Sequence, residues 1–146
     1  MDLTGLDRQI IFWPPMAHIT SMFGHVSSVG GAGENNSFGE SGWDTKFPTA
    51  ESYIQRQTGP KVDRSGLGLT VRLTSSQDEV FDRCIAENKS NPKSYSVLLN
   101  NCTSAAQECL TRAGVNFEPS ISPAGFQAEL IGSGAVSSTQ WYRPSK

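Results

Sequence analysis

The sequence predicts an α+β fold in which a small antiparallel sheet packs against helices. Short apolar or alternating segments, the pattern of β-strands, dominate the first half of the chain. Segments with apolar residues three and four positions apart, the pattern of amphipathic helices, dominate the second half. Glycine, asparagine and proline separate these segments, and 146 residues are enough for a single domain with one core.

The predicted strands lie ahead of the first long helix. Gln9 to Trp13 is a short apolar strand that two prolines end, and Phe23 to Val29 alternates as a second strand. Ser37 to Trp43 is expected to return as the other half of a hairpin, across a glycine-rich turn. Leu67 to Leu73 alternates and forms a further strand. Residues 44–66 are expected to be an irregular surface loop that holds at most one helical turn.

Three helices are predicted after these strands. The first opens with a capping box formed by Ser76 and Glu79. Its apolar face consists of Val80, Phe81, Cys84 and Ile85. The second helix begins at Cys102 and ends at a glycine cap, and a short third helix begins at Ser122. The chain then ends in a polar tail from Ser137.

Composition and charge exclude several classes of protein. The net charge is −2, and the acidic and basic residues are interspersed without a cluster of lysine and arginine. Nucleic acid is therefore not an expected partner. No run of about 18 apolar residues occurs, so stable membrane insertion is not expected. The N-terminus lacks the basic start and apolar core of a signal peptide, so export is expected to depend on something other than this stretch.

The three cysteines cannot all pair within the chain. Cys102 and Cys109 lie seven positions apart, about 10 Å along a helix, which is beyond disulfide reach. Cys84 and Cys109 fall on the apolar stripes of two helices, so each is expected to be a buried thiol. No C-x-x-C or H-x-x-H pair occurs, so neither a metal nor another cofactor is expected.

Cys102 stands where a thiol becomes a nucleophile. A helix N-terminus carries unpaired N–H groups and a partial positive charge, which favour the thiolate and are expected to lower the cysteine pKa. An imidazole is needed to share the proton, and His25 lies in "GHV" at the entry to a predicted strand. The alternative is structural: a strand histidine satisfied by a neighbour, and a buried thiol.

The two motifs together resemble a known enzyme family. "GHV", followed at a distance by "NNCTSAAQECLTRAGV", is similar to the circularly permuted papain-like cysteine hydrolases, the NlpC-type and lecithin-retinol-acyltransferase-like group. The histidine precedes the cysteine in this branch, as His25 precedes Cys102 here by 77 residues. The resemblance covers about residues 10–130 in organisation. It implies a permuted papain-like fold and a thiol-dependent hydrolase, or an acyltransferase, with a Cys-His dyad.

The resemblance also implies a third polar group on the strand after the histidine. That strand offers Asn36, Ser37 and Glu40, and Ser37 is the expected third catalytic residue that orients the imidazole. The backbone N–H of Cys102 is expected to hold the oxyanion, with a second donor unassigned. The residues expected to bind or orient the substrate are Asn101, Asn36 and Gly24. The simpler role of Asn101 is to cap the helix.

The N-terminus carries a second resemblance. "DLTGLD" is similar to the Asp-x-x-Gly-Leu sequence that closes the shell of Rhs-type polymorphic toxins. It implies that residues 1–8 are a shell end or linker and that residues 9–146 are the catalytic domain. It also implies an antibacterial effector, carried as cargo of the parent Rhs shell into the cytoplasm or periplasm of a target cell, with a cognate immunity protein. The alternative is an unrelated polar N-terminus.

Three functions therefore compete. The first is a thiol hydrolase of peptidase or amidase type, deployed as a toxin against a protein, peptide or peptidoglycan substrate, with a lipid acyl group as a further target. The second is a toxin of another class, such as a nuclease, which the missing basic face disfavours. The third is a non-catalytic binding domain on the same fold. The distance between the Cys102 sulfur and the His25 nitrogens discriminates the first from the third.

Overall fold

The computed structural model describes residues 7–14, 24–30, 33–39, 42–91 and 102–144. Within these ranges it contains six strands and four helices, which confirms the α+β class. The elements in chain order are β1 (Asp7–Trp13), β2 (His25–Val29), β3 (Asn35–Gly39), β4 (Gly42–Trp43), α1 (Ala50–Thr58), β5 (Gly66–Arg72), α2 (Ser75–Ser90), α3 (Cys102–Arg112), α4 (Pro123–Gly132) and β6 (Val136–Tyr142).

The strands form one six-stranded sheet in the order β4-β3-β2-β1-β5-β6. Every pairing in it is antiparallel, as the alternating segments predict. The polar tail from Ser137, for which the sequence predicts no element, belongs to the edge strand β6 and pairs with β5. An edge strand exposes most of its side chains, and this explains why its sequence lacks an apolar pattern.

β1 divides the interior into two cores because successive strand residues point to opposite faces. Ile10 and Phe12 face the core that α2, α3 and α4 cover. Ile11 and Trp13 face a smaller core that α1 closes with Ala50 and Tyr53. The sheet begins at Asp7, and Arg8 is fully buried, so the described fold includes the last two residues of the segment expected to be a linker.

Two helices differ from their predicted form. The loop expected over residues 44–66 contains the nine-residue helix α1, capped by Thr49. At α2 the capping box is formed by Thr74 and Gln77, not by Ser76 and Glu79. The Thr74 hydroxyl accepts from the Gln77 N–H at 3.2 Å, and the Gln77 side chain accepts from the Thr74 N–H at 2.8 Å. The same spacing occurs twice in succession, and only the fold selects between the two.

The cysteines of α2 and α3 depart from the prediction. Cys84 and Cys109 were expected to be separate buried thiols, but they form a disulfide with a Cα–Cα distance of 5.4 Å. The prediction was wrong because it considered each helix face alone, whereas the two faces pack against each other. Cys84, Cys109 and Glu108 are close enough to hold a metal ion, but sulfurs bonded to each other cannot act as thiolate ligands.

Among the described residues, no helix is both long enough and apolar enough to cross a bilayer.

Candidate functional site

Gly24 sets the position of His25 at the start of β2. Its φ is +93°, a left-handed conformation that favours glycine. A β-carbon at this position would lie 2.8 Å from the carbonyl oxygen of Trp13, which is too close for any other residue. This close approach lets β2 pair with β1 from its first residue, so His25 lies opposite Trp13. A β-carbon at this position would also lie 3.6 Å from the ring of Pro123, the first residue of α4.

His25 and Ser37 are brought together by the pairing of β2 with β3. Ser27 lies opposite Ser37 in the register, which places His25 diagonally from Ser37 on the same face of the sheet. The His25 Nε2 and the Ser37 Oγ form a hydrogen bond. Ser37 therefore contacts the imidazole from the neighbouring strand, and its catalytic role stays a prediction.

The surroundings of His25 favour its neutral form. Burial, and secondarily the positive charge of Arg64, lower the pKa of His25 from 6.5 to about 4. The imidazole is consequently unprotonated near neutral pH and is available to accept a proton.

Cys102 begins α3, as predicted, and its side chain is 6% exposed. The thiol packs in the larger core beside Val26, the residue that follows His25, and the Val26 backbone lies near enough to act on the pKa of the thiol. The ladder between β2 and β3 runs from Ser27 to Val29 and ends one residue before Val26. Thus α3 inserts the thiol where these two strands separate. A cavity of about 10 Å³, no larger than one water molecule, adjoins the thiol.

Burial makes the Cys102 thiol a weaker acid. The sequence predicts a lowered pKa at a helix start, but in the structure burial raises the pKa of Cys102. The nearby polar groups of Val26, Thr103 and Cys102 itself lower it only in part. The prediction was wrong because the cost of removing a thiolate from water exceeds the effect of the helix terminus. The resting site therefore holds a neutral thiol and a neutral imidazole.

The thiol and the imidazole approach the sheet from different faces. His25 shares the face of its cross-strand partner Trp13, which packs in the smaller core. Cys102 packs in the larger core with Val26, on the opposite face. The two groups therefore flank the same peptide unit, between His25 and Val26.

Tyr53 and Arg64 lie near His25, and no motif or periodic pattern in the sequence marks either of them. Tyr53 of α1 is buried in the smaller core beside Trp13, and this burial raises the pKa of its hydroxyl. Its ring packs edge-on against Trp13 at 5.9 Å between centroids. Arg64 is 5% exposed and donates to the Pro14 carbonyl at 2.6 Å. Both residues lie in the segment expected to be a surface loop, so a pattern search passes over them.

Of the two asparagines expected to contact the substrate, the structure describes Asn36 but not Asn101. Asn36 lies on the Cys102 face, lines the small cavity, and accepts a hydrogen bond from the Lys89 Nζ at 2.7 Å. The ammonium of Lys89 also lies 5.5 Å from the centre of the Trp43 ring. The Asn36 amide oxygen is thus already engaged within the chain. Asn101 lies outside the described residues, and its expected role stays a prediction.

The lowered pKa of His25 predicts how stability depends on pH. Between pH 6.5 and about 4 the unfolded chain binds a proton at this residue while the folded chain does not. The contribution of His25 is therefore complete above pH 6.5 and is lost as the pH falls toward 4. We expect a loss of about 2 to 3 kcal/mol in the free energy of unfolding across this window.

Urea unfolding at pH 7 and pH 4 measures this loss. Because carboxyl groups also titrate there, a His25→Gln variant serves as the control and should lose less stability than the wild type. An equal loss in both proteins would contradict the prediction.

Comparisons with known proteins give one distant likeness. No family model and no curated protein matches the chain. The crystal structure of the type VI secretion system effector TseH is similar over 94% of this chain and 98% of that chain, with 14% sequence identity and a TM-score of 0.48. A likeness of this degree assigns neither residues nor activity.

Proposed function

We propose that this chain is a thiol-dependent hydrolase of peptidase or amidase type, in which Cys102 is the nucleophile and His25 carries the proton. One observation supports it above the others. The Cys102 thiol at the start of α3 packs beside Val26, the residue next to His25, and the His25 Nε2 is itself bonded to Ser37. Nucleophile, base and orienting group are thus drawn from three elements to one end of the sheet.

The chemistry follows general-base catalysis, because the resting thiol and imidazole are both neutral. The Cys102 thiol attacks a carbonyl carbon as its proton passes to the Nδ1 of His25. The imidazolium then protonates the leaving amine or alkoxide, and a thioester remains on Cys102. Water, activated by the same imidazole, hydrolyses the thioester and restores both groups. Another acceptor in place of water makes the reaction an acyl transfer.

The proposal requires one movement. The sulfur has to turn toward the imidazole, which lies on the other side of the His25–Val26 peptide. The movement starts where the described pairing of β2 with β3 has stopped and where the thiol adjoins a small cavity. A substrate bound between β2 and β3 would favour the turned position of the sulfur, because the attacked carbon has to lie beside the sulfur.

The permuted papain-like family and the deployment as an antibacterial toxin are part of the same proposal. They rest on the resemblances of "GHV", "NNCTSAAQECLTRAGV" and "DLTGLD". They imply a protein, peptide or peptidoglycan substrate, delivery into a target cell as cargo of an Rhs shell, and a cognate immunity protein.

A non-catalytic binding domain is the second candidate, and two observations favour it. His25 and Cys102 belong to opposite faces of the sheet, and burial raises the pKa of the thiol. In this case Cys102 is a core residue of α3, and the bond between His25 and Ser37 serves only to join β2 to β3.

Toxicity in a bacterial host separates the two candidates. The wild type, Cys102→Ala and His25→Ala are expressed with and without a fused export signal, and surviving colonies are counted. We expect Cys102→Ala to lower the activity by about a thousandfold or more, because no other group can form the thioester. Killing in one compartment alone would locate the substrate.

The matched control is Thr111→Ala, an exposed change on the same helix α3, which should kill like the wild type. Undiminished killing by a folded Cys102→Ala protein would exclude the thiol mechanism and leave the binding domain.

A further inference from the structure

We propose that this protein reaches its working state in an oxidising compartment, because the disulfide between Cys84 and Cys109 holds the helix that carries Cys102. The part of the proposal that concerns stability is independent of what the chain catalyses. The part that concerns activity rests on the proposed thiol hydrolase function.

The disulfide joins α2 to α3 in the interior of the larger core. The Cα–Cα distance of 5.4 Å lies in the range of unstrained bridges. Cys84 is 1% exposed and Cys109 is fully buried. A reductant can therefore reach the disulfide only after α2 and α3 have separated, so the bond is protected while the domain is folded.

The other polar contacts between α2 and α3 are at most partly buried. Asn88 donates to the Glu108 carboxylate at 3.2 Å beside the disulfide, and both side chains are partly exposed. Arg112 donates to Glu87 at 2.6 Å, but both side chains are about half exposed. The disulfide closes a loop between positions 25 apart, which includes the whole connection from α2 to α3. Such a crosslink reduces the freedom of the unfolded chain, and its effect grows with the length of the loop.

The fold keeps Cys102 out of this oxidation. Cys109 lies seven residues, about 10 Å, farther along the same helix, so it cannot reach Cys102. Cys102 is the free cysteine of the described residues, and it is buried against β2. An oxidant that pairs Cys84 with Cys109 consequently leaves the nucleophile as a thiol.

The oxidation is a thiol–disulfide exchange with a disulfide oxidoreductase. The thiolate of Cys84 or Cys109 attacks the enzyme's disulfide and releases one enzyme thiol. The second cysteine then displaces the other enzyme sulfur from the mixed disulfide. The chain loses two electrons and two protons, and the oxidoreductase is left as a dithiol. Such oxidants belong to compartments like the bacterial periplasm, whereas the cytosol keeps thiols reduced.

Thermal unfolding of the oxidised protein, and of protein that has been reduced in urea and refolded with the reductant, tests the stabilising role. We expect the reductant to lower the unfolding temperature of the exported wild type by roughly 5 to 15 °C. A Cys84→Ala/Cys109→Ala double variant should show no shift with reductant. Cys102→Ala, the matched control for losing a cysteine, should show the wild-type shift. No shift in the wild type would overturn the proposal.

Counting thiols keeps the test valid if the double variant does not fold. The exported wild type is denatured and alkylated without reductant, and its mass is then measured by mass spectrometry. One modified cysteine is expected, and three after reduction. Three modified cysteines without reduction would overturn the proposal. So would one zinc ion bound per chain, since Cys84, Cys109 and Glu108 would then be ligands.

The two proposals fail separately. If exported Cys102→Ala kills like the wild type and also shows the wild-type thermal shift, the proposed thiol mechanism is wrong and the disulfide proposal stands. If the double variant kills as well as the wild type after export, and is equally stable, the disulfide proposal is wrong while the thiol mechanism stands.

Discussion

Iodoacetamide is expected to alkylate Cys102 at least about a hundredfold more slowly in the folded protein than in the urea-unfolded chain at pH 7. Two features of the structure cause this protection. The side chain is only 6% exposed, and burial raises the pKa of the thiol, so little thiolate forms near neutral pH. The rate should rise steeply above pH 9 because the thiolate is the reacting species.

Mass spectrometry of the non-reduced protein measures the rate at one site, because Cys84 and Cys109 are held in the disulfide. Cys102→Ala controls for reaction elsewhere in the chain. Rapid labelling with an apparent pKa well below 8.5 would contradict the neutral resting site. It would favour the activated thiolate that the helix start by itself predicts.

Replacing Arg8 by alanine is expected to destabilise the fold by about 3 kcal/mol. The Arg8 side chain is fully buried, and it donates to Asp78 at 3.0 Å and to Asp82 at 2.5 Å. Its guanidinium also lies 4.0 Å from the centre of the Phe81 ring. The substitution therefore removes the charge that ties β1 to α2 and leaves a void over the ring. Asp78 and Asp82 are partly exposed, which limits the cost of leaving them unpaired.

Urea unfolding of the wild type and of two control variants measures this effect. Arg8→Met keeps the packing over Phe81 but removes the charge, so it separates the two contributions. Arg112→Ala removes an exposed arginine that also binds a carboxylate, Glu87, and should leave the unfolding midpoint nearly unchanged. Equal losses for Arg8→Ala and Arg112→Ala would contradict a special role for the buried arginine.

The strands and the principal helices follow from local patterns. The apolar run ending at Trp13 forms β1, the segment that contains "GHV" forms β2, and α3 begins at Cys102. These predictions hold because side-chain direction repeats every two residues in a strand and every 3.6 in a helix. α1 and β6 departed from prediction because they cover an edge or a small core and need few apolar residues.

The candidate site, like the fold, contains residues that local sequence patterns predict and residues that only the fold brings together. The local sequence points to Cys102 and His25, the family resemblance adds Ser37, and the structure contains a hydrogen bond between His25 and Ser37. Tyr53 and Arg64 were missed because their significance depends on which strands α1 and the following loop cover. Such contacts join positions far apart in the chain, and no local pattern records them.

By itself, the sequence determined the α+β class, the order of its main strands and helices, and the placing of one cysteine at a helix start and one histidine at a strand start. The tertiary structure alone decided that Cys84 bonds to Cys109, that Cys102 and His25 flank one peptide unit from opposite faces, and that both are neutral at rest. The reason is physical. Periodicity follows from local backbone geometry, whereas disulfide partners and pKa values depend on which surfaces meet and how completely they exclude water.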